Sequence, residues 1–121
     1  MFNHTKDKNG FEIYPENKFH SIIKCECSRS DRLNKPFSLI VFRIVDNAEL
    51  ITLTKFLSNR IRMSDQIGWF DNLEIGLLLP ETSYDGAVKL SEEIKSNMES
   101  IFKPIFCRVY FYPSLEWEFD K

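Results

Sequence analysis

Two short apolar runs, QIGWF at residues 66–70 and LEIGLLL at residues 73–79, are separated only by Asp71 and Asn72. Asp and Asn both tolerate the positive φ angles that tight hairpin turns require. We therefore predict a β-hairpin here, with its second strand ending at Pro80. This hairpin constrains the fold more than any other feature, because it defines two neighbouring strands and their relative direction.

A strand and a helix are predicted before the hairpin. Residues 37–45, FSLIVFRIV, are rich in β-branched and aromatic side chains and are short enough for a buried central strand. Asp46 followed by Glu49 resembles a capping box, which satisfies free backbone amides at the start of a helix. The apolar residues that follow have helical spacing and form one stripe, which consists of Leu50, Leu53, Leu57 and Ile61.

Another helix and another strand are predicted after the hairpin. Thr82 or Ser83 can cap the helix. Residues 105–112, IFCRVYFY, form the last predicted strand, which Pro113 ends. The core-facing positions of the helix are Ala87, Leu90, Ile94, Met98 and Ile101.

The first part of the chain divides into an arm and a helix. Residues 1–15 are polar, with room for a short strand at the sequence FEIYP, and we interpret them as an N-terminal arm. A helix is predicted from Glu16 to Leu33, before Pro36. Its apolar positions with helical spacing are Phe19, Ile22, Ile23 and Cys27.

The predicted element order defines the fold class. After the first helix, the elements follow the order βαββαβ, which is the split-βαβ, ferredoxin-like unit of an α+β protein with a mixed or antiparallel central sheet. In that topology the first strand lies beside a strand of the hairpin at the centre of the sheet. Residues 43–45 should therefore lie close to residues 71–74.

Composition argues against several classes of function. The net charge of −2 and the pI of about 5.7 do not favour a nucleic-acid binder that works through bulk charge. Cys25, Cys27 and Cys107 show neither zinc-site spacing nor a disulfide framework. The longest apolar runs are far too short to cross a membrane. We expect a soluble cytoplasmic domain without membrane insertion, nucleic acid or metal.

Three stretches resemble the GGDEF domain, the diguanylate cyclase fold. CECSRSDRLNKPFSLIVFRI is similar to the first helix, the Lys-Pro-Phe-Ser step and the first strand of that family. RIRMSDQIGWFDNLEIGLLLPET is similar to its signature hairpin, and DGAVKLSEEIK to the helix that follows. The likeness covers about residues 16–112 and implies one degenerate bacterial GGDEF-like domain over residues 16–121.

The resemblance implies that the catalytic signature is degraded. The signature positions fall on Asp71, Asn72, Leu73, Glu74 and Ile75, so that only Glu74 keeps its residue type. Side chains replace the two glycines that let a triphosphate approach the turn.

The metal site is also altered. A magnesium-binding aspartate of the family falls on Arg43, and a second acidic position falls on Val45. Arg43 would repel Mg²⁺ and could pair with Glu74 across the strands. The segment that reads guanine is shortened as well. The resemblance therefore implies no catalytic residues, no bound Mg²⁺ and no other cofactor.

A second family motif is retained. Many GGDEF domains carry a product-binding Arg-x-x-Asp motif before the signature, and here Arg62 and Asp65 match it. Arg62 could bind phosphate or guanine in a bidentate fork, Asp65 could accept from guanine, and Arg60 could add a phosphate contact. The alternative is local: Asp65 caps a turn, and Arg62 favours the negative end of a helix.

These residues leave three functions open. The first is a catalytically inactive regulatory domain of cyclic di-GMP signalling, with Arg62 and Asp65 as a candidate receptor site for the dinucleotide. The second is an interaction or dimerisation module that binds a protein partner or a second copy and no nucleotide. An active diguanylate cyclase is a distant third.

Overall fold

The strands form one five-stranded mixed sheet that carries three helices. The structure, a computed structural model, describes residues 13–114, 116–117 and 119. The elements are β1 (Ile13–Tyr14), α1 (Glu16–Leu33), β2 (Phe37–Arg43), α2 (Asn47–Ser58), β3 (Gln66–Asp71), β4 (Glu74–Pro80), α3 (Tyr84–Glu99) and β5 (Cys107–Tyr112).

The sheet has the strand order β1-β3-β4-β2-β5. β1 pairs with β3 in parallel, and the other neighbours are antiparallel. β2 and β4 therefore lie side by side, and Arg43 is the register partner of Glu74. The predicted α+β, ferredoxin-like βαββαβ core with an N-terminal helix is confirmed, as is the predicted proximity of residues 43–45 to residues 71–74.

Each face of the sheet is covered by helices. The core on one face contains Leu53 and Leu57 of α2 together with Ala87, Ile94 and Met98 of α3. On the other face α1 contributes the buried residues Phe19, Ile23 and Cys27. The stripes predicted from helical spacing thus point into two separate cores, one on each side of the sheet.

The aromatic ring of Phe19 lies directly against two glycines of the hairpin. Gly68 and Gly76 are register partners on β3 and β4. A Cβ atom at Gly68 would lie 2.4 Å from a ring carbon of Phe19, and a Cβ at Gly76 would lie 2.5 Å from another. Such distances are far below van der Waals contact, so the seating of α1 on the sheet requires glycine at both positions.

The helix starts follow the predicted caps. The Asp46 carboxylate accepts a hydrogen bond from the Glu49 amide at 2.9 Å. The Glu49 carboxylate in turn accepts from the amide of Val45, one residue before the cap, at 3.0 Å. Ser83 caps α3 through a hydrogen bond from the Gly86 amide.

The structure shifts several predicted boundaries. The two-residue turn of the hairpin is Asn72–Leu73 rather than Asp71–Asn72, because the Asp71 side chain accepts from the Leu73 amide at 2.9 Å. β2 ends at Arg43, before the predicted end at residue 45. Leu73, which begins the second apolar run, and Ile101, which was assigned to the core-facing positions of the last helix, are exposed.

Part of the predicted arm belongs to the sheet. Ile13 and Tyr14 form β1 and pair with Ile67 and Gly68 of β3, at the position where the sequence suggested a short strand. Residues 1–12 lie outside the described residues. No helix among those that the structure describes has the length and apolar character needed to cross a membrane.

Candidate functional site

The signature carboxylate Glu74 is bound by an arginine that the sequence reasoning did not single out. Arg108 of β5 donates from Nη1 to Glu74 Oε2 at 2.6 Å and from Nη2 to Oε1 at 3.1 Å. The two side chains meet across β2, which separates their strands. The predicted pair between Arg43 and Glu74 is therefore wrong. Arg108 presents a bidentate fork to the carboxylate, the geometry that arginine favours.

This ion pair is partly shielded from water. The Glu74 side chain is only 8% exposed, whereas that of Arg108 is 46% exposed. The hydrogen bond with Glu74 raises the pKa of Arg108 above its already high ordinary value. Tyr110 also contacts this guanidinium, with its hydroxyl oxygen 2.7 Å from Arg108 Nε. The charge of the Glu74 carboxylate is thus balanced by Arg108, which also holds the side chain in place.

The residues at the family's metal position do not fit Mg²⁺. Arg43 places a cation at the end of β2 beside Glu74, and Val45 is exposed without offering a ligand atom. Mg²⁺ binds hard oxygen ligands, whereas here the nearby carboxylate already binds a guanidinium. Within residues 13–114, 116–117 and 119, no three His, Cys, Asp or Glu side chains are grouped to hold a metal.

The hairpin turn is closed by its own contacts. Asp71 accepts from the Leu73 amide, and the Leu73 carbonyl accepts from the Ile44 amide at 2.7 Å. Partial burial opposes ionisation of Asp71, but the hydrogen bond from Leu73 and contacts with Glu74 outweigh it and lower the pKa of Asp71. Ile75, the last signature position, is fully buried in the core. A phosphate would meet side chains at this turn where the family has glycines.

Arg62 and Asp65 are close together, but they bind each other and the protein. Asp65 accepts from the Arg62 amide at 2.8 Å and from Arg62 Nη2 at 3.0 Å, and its side chain is 3% exposed. Arg62 Nη2 also lies 2.6 Å from the Pro80 carbonyl oxygen and 2.9 Å from Thr82 Oγ1. The motif therefore ties the loop after α2 to the end of β4.

The third residue of the candidate receptor site, Arg60, is paired elsewhere. Its Nε and Nη2 atoms donate to both carboxylate oxygens of Glu93 on α3, at 2.7 and 2.6 Å. The hydrogen bond with Arg60 lowers the pKa of Glu93. The pair is exposed, so it can exchange with solvent and salt more readily than the pair of Arg62 with Asp65.

The comparisons with known proteins bear on the fold alone. No protein-family model and no curated protein sequence matches the chain. Many solved structures do match it, and they include GGDEF and GGEEF domains at 12–21% identity. The described sheet, with its order β1-β3-β4-β2-β5 and its central hairpin, is thus a GGDEF-like fold.

Three of the matching structures serve as examples. A DGC protein from Thermotoga maritima is 22% identical, with a TM-score of 0.67 over 84% of this chain and 82% of that one. The GGDEF domain of DgcB from Caulobacter crescentus, in complex with c-di-GMP, is 12% identical, with a TM-score of 0.68 over 92% and 77%. Diguanylate cyclase SiaD from Pseudomonas aeruginosa, in complex with its activator SiaC, is 17% identical, with a TM-score of 0.62 over 80% and 45%.

Proposed function

We propose that the chain is a catalytically inactive, GGDEF-like regulatory domain of cyclic di-GMP signalling. The observation that carries the proposal is the bidentate ion pair between Glu74 and Arg108, formed beside Arg43. Glu74 is the one signature residue whose type the chain retains. The ion pair with Arg108 makes its carboxylate unavailable to a metal. The GGDEF-like fold supports the assignment to this signalling system.

Phosphoryl transfer explains why these contacts are incompatible with catalysis. The reaction needs Mg²⁺ to bridge phosphate oxygens and to neutralise the charge that develops on them. Arg43 can bind a phosphate, but its guanidinium offers no oxygen ligand and cannot hold a metal. The side chains of Asp71 and Asn72 also lie where the resemblance places the two glycines. These residues argue against a metal site at the end of β2 and against a phosphate-binding turn in the hairpin.

A product assay tests the proposed inactivity. The protein is incubated with GTP and Mg²⁺, and the products are separated by chromatography beside an active diguanylate cyclase as positive control. We expect no cyclic dinucleotide. Product formation that Glu74→Gln abolishes would overturn the proposal, because it would show that Glu74 serves catalysis despite its pairing with Arg108.

We infer that this domain regulates through protein contact. The support is that Arg62, Asp65 and Arg60 all have intramolecular partners, which leaves them poorly placed to receive a nucleotide. The structurally similar SiaD is itself seen with a protein activator. Along β5, a groove of about 690 Å³ is lined by exposed and half-buried side chains that include Tyr84, Tyr110 and Phe111.

A cyclic di-GMP receptor is the second candidate, and one observation favours it. The Arg62 side chain is 53% exposed and lines a cavity of about 320 Å³ that also contains Arg29. Two guanidinium groups beside one cavity suit a phosphate ligand. Binding would require Arg62 to exchange its contacts with Pro80 and Thr82 for contacts with the ligand. Glu26 and Glu81 line the same cavity and would oppose an anion.

Calorimetric titration separates the two candidates. Cyclic di-GMP is titrated into the wild type, into Arg62→Ala, and into Arg32→Ala as a matched exposed arginine. Protein-contact regulation predicts no heat of binding with any of the three. Saturable binding that Arg62→Ala abolishes and Arg32→Ala preserves would establish the receptor instead. Neither result depends on the outcome of the product assay.

A further inference from the structure

A cavity of about 500 Å³ lies at the end of β2, between the start of α2 and the loop that leads into β5. None of the hairpin residues 71–75 lines it. Its volume falls within the range of about 300–1,000 Å³ that is common for small-molecule sites. The side chains that matter for its chemistry are Arg43, Val45, Asp46, Glu49, Lys103 and Phe106.

The backbone holds the two walls of this cavity together. The Arg43 amide donates to the Phe106 carbonyl at 3.0 Å, which extends the pairing of β2 and β5 to the residue before the start of β5. Ile105 is buried and anchors the loop in the core. Phe106 itself is 77% exposed, and Val45 is also exposed. The cavity therefore has two apolar side chains, Phe106 and Val45, that face solvent.

The available charge in the cavity is positive. Arg43 would normally pair with its register partner Glu74, but Arg108 holds that carboxylate. Among residues 13–114, 116–117 and 119, neither Arg43 nor Lys103 has an ion pair or a side-chain hydrogen bond. Both cations thus remain available to a ligand.

The two carboxylates in the cavity are already engaged. One Asp46 oxygen accepts from the Glu49 amide, and one Glu49 oxygen accepts from the Val45 amide. Glu49 is also buried. These contacts form the N-terminal cap of α2, so the carboxylates serve the backbone rather than Arg43 or Lys103. Their two negative charges formally balance those of Arg43 and Lys103, but they do not occupy the hydrogen-bond donors of these two side chains.

We propose that this cavity binds a small organic anion, in which a planar ring carries a single phosphate or carboxylate group. Arg43 and Lys103 bind the anionic group, and the ring packs against Phe106 and Val45. Arginine forms a fork that matches either kind of anion. The apolar ring covers the exposed walls. This binding needs neither a metal nor cyclic di-GMP, so it is independent of the regulatory function proposed above.

Nuclear magnetic resonance tests the site with three probes. Phenyl phosphate, benzoate and inorganic phosphate are each titrated while the amide signals are followed. We expect phenyl phosphate or benzoate to shift the signals of Val45, Lys103 and Phe106 saturably in the millimolar range. The tighter of the two shows whether the site prefers phosphate or carboxylate, and inorganic phosphate should bind more weakly than phenyl phosphate.

Variants assign the contacts. Arg43→Gln should weaken binding of the ring-bearing probe by roughly tenfold or more, because a charge-assisted hydrogen bond is lost. Phe106→Ala should weaken the same probe while leaving the response to inorganic phosphate unchanged. Lys89→Gln and Tyr84→Ala are matched exposed controls outside the cavity and should bind as the wild type does. Unchanged amide signals elsewhere would show that each variant is folded.

Three results would overturn the proposal. The first is the absence of saturable shifts with any probe. The second is equal binding of the ring-bearing probe to wild type and Arg43→Gln. The third is binding of inorganic phosphate as tight as that of phenyl phosphate, because the ring and Phe106 would then contribute nothing.

Discussion

Arg43 and Glu74 lie directly opposite each other on β2 and β4, yet the Glu74 carboxylate is bound by Arg108 of β5. The ion pair between Glu74 and Arg108 thus explains two properties of this end of the sheet, the loss of a metal ligand and the unpaired state of Arg43 among the described residues. The carboxylate cannot serve a metal while it holds a guanidinium. Arg43 is left without an ion pair among the described residues, and it lines the neighbouring cavity.

The ion pair of Glu74 with Arg108 should contribute measurably to stability. Arg108→Ala leaves a nearly buried carboxylate unpaired and should lower the free energy of unfolding by about 1–2 kcal/mol. A fully buried pair would lose about 3–5 kcal/mol, and solvent around the half-exposed Arg108 reduces that value. Urea denaturation measures the change. The exposed Arg32→Ala should stay within about 0.5 kcal/mol of the wild type.

A double-mutant cycle isolates the interaction itself. The double variant Glu74→Gln/Arg108→Ala should be destabilised by less than the sum of the two single changes. Each single change already breaks the ion pair, so the double variant loses that interaction only once. Additive effects of the two substitutions would show that the ion pair contributes nothing.

The packing of Phe19 on the hairpin should make two glycines irreplaceable. Gly68→Ala or Gly76→Ala would place a methyl group against the Phe19 ring and should lower the free energy of unfolding by about 1–3 kcal/mol through overpacking. Thermal or urea unfolding measures this. The smaller side chain of Phe19→Leu should recover part of the loss in combination with Gly76→Ala. A Gly76→Ala variant as stable as the wild type would contradict the close approach.

The contacts of Arg62 should stabilise the loop that joins α2 to β3. Arg62→Ala removes bonds to Asp65, Pro80 and Thr82 and leaves the Asp65 carboxylate buried with one partner fewer. We expect a loss of about 1–2 kcal/mol in the free energy of unfolding. Arg60→Ala serves as a comparison, since its pair with Glu93 is exposed and should matter less. Equal effects of the two substitutions would argue against a structural role of Arg62.

The cysteines should differ in reactivity with pH. Burial raises the pKa of the Cys107 thiol to about 11, and only the thiolate is nucleophilic. Iodoacetamide at about pH 8 should therefore modify the exposed Cys25 first. The rate at Cys107 should rise about tenfold per pH unit as the pH increases toward that pKa, because the thiolate fraction grows by this factor.

Peptide mass spectrometry locates the label, and Cys107→Ser confirms the assignment. Modification of Cys107 near neutral pH as fast as that of Cys25 would contradict the raised pKa. Loss of the circular-dichroism signal during labelling would mean that unfolding exposed the thiol, so the spectrum is recorded at each pH.

Sequence by itself determined the local elements of this protein. The bounds of α1, Glu16–Leu33, agree with the prediction, and so do the cap of α2 at Asp46 and the cap of α3 at Ser83. These features depend on helical spacing and on hydrogen bonds between near neighbours in the chain. The alternation of elements was enough to predict that β2 lies beside a strand of the hairpin, because few topologies accommodate βαββαβ.

Tertiary structure alone decided which charged groups meet. Glu74 has Arg43 as its register partner but binds Arg108, whose long side chain reaches over the central strand β2. Arg62 and Asp65 match a ligand-binding motif in the sequence. In the fold, Arg62 donates hydrogen bonds to the Pro80 carbonyl and to Thr82 Oγ1 instead. Partners from distant segments compete for the same carboxylate or guanidinium. Side-chain reach and burial in the folded chain determine the outcome, and neither is encoded in local spacing.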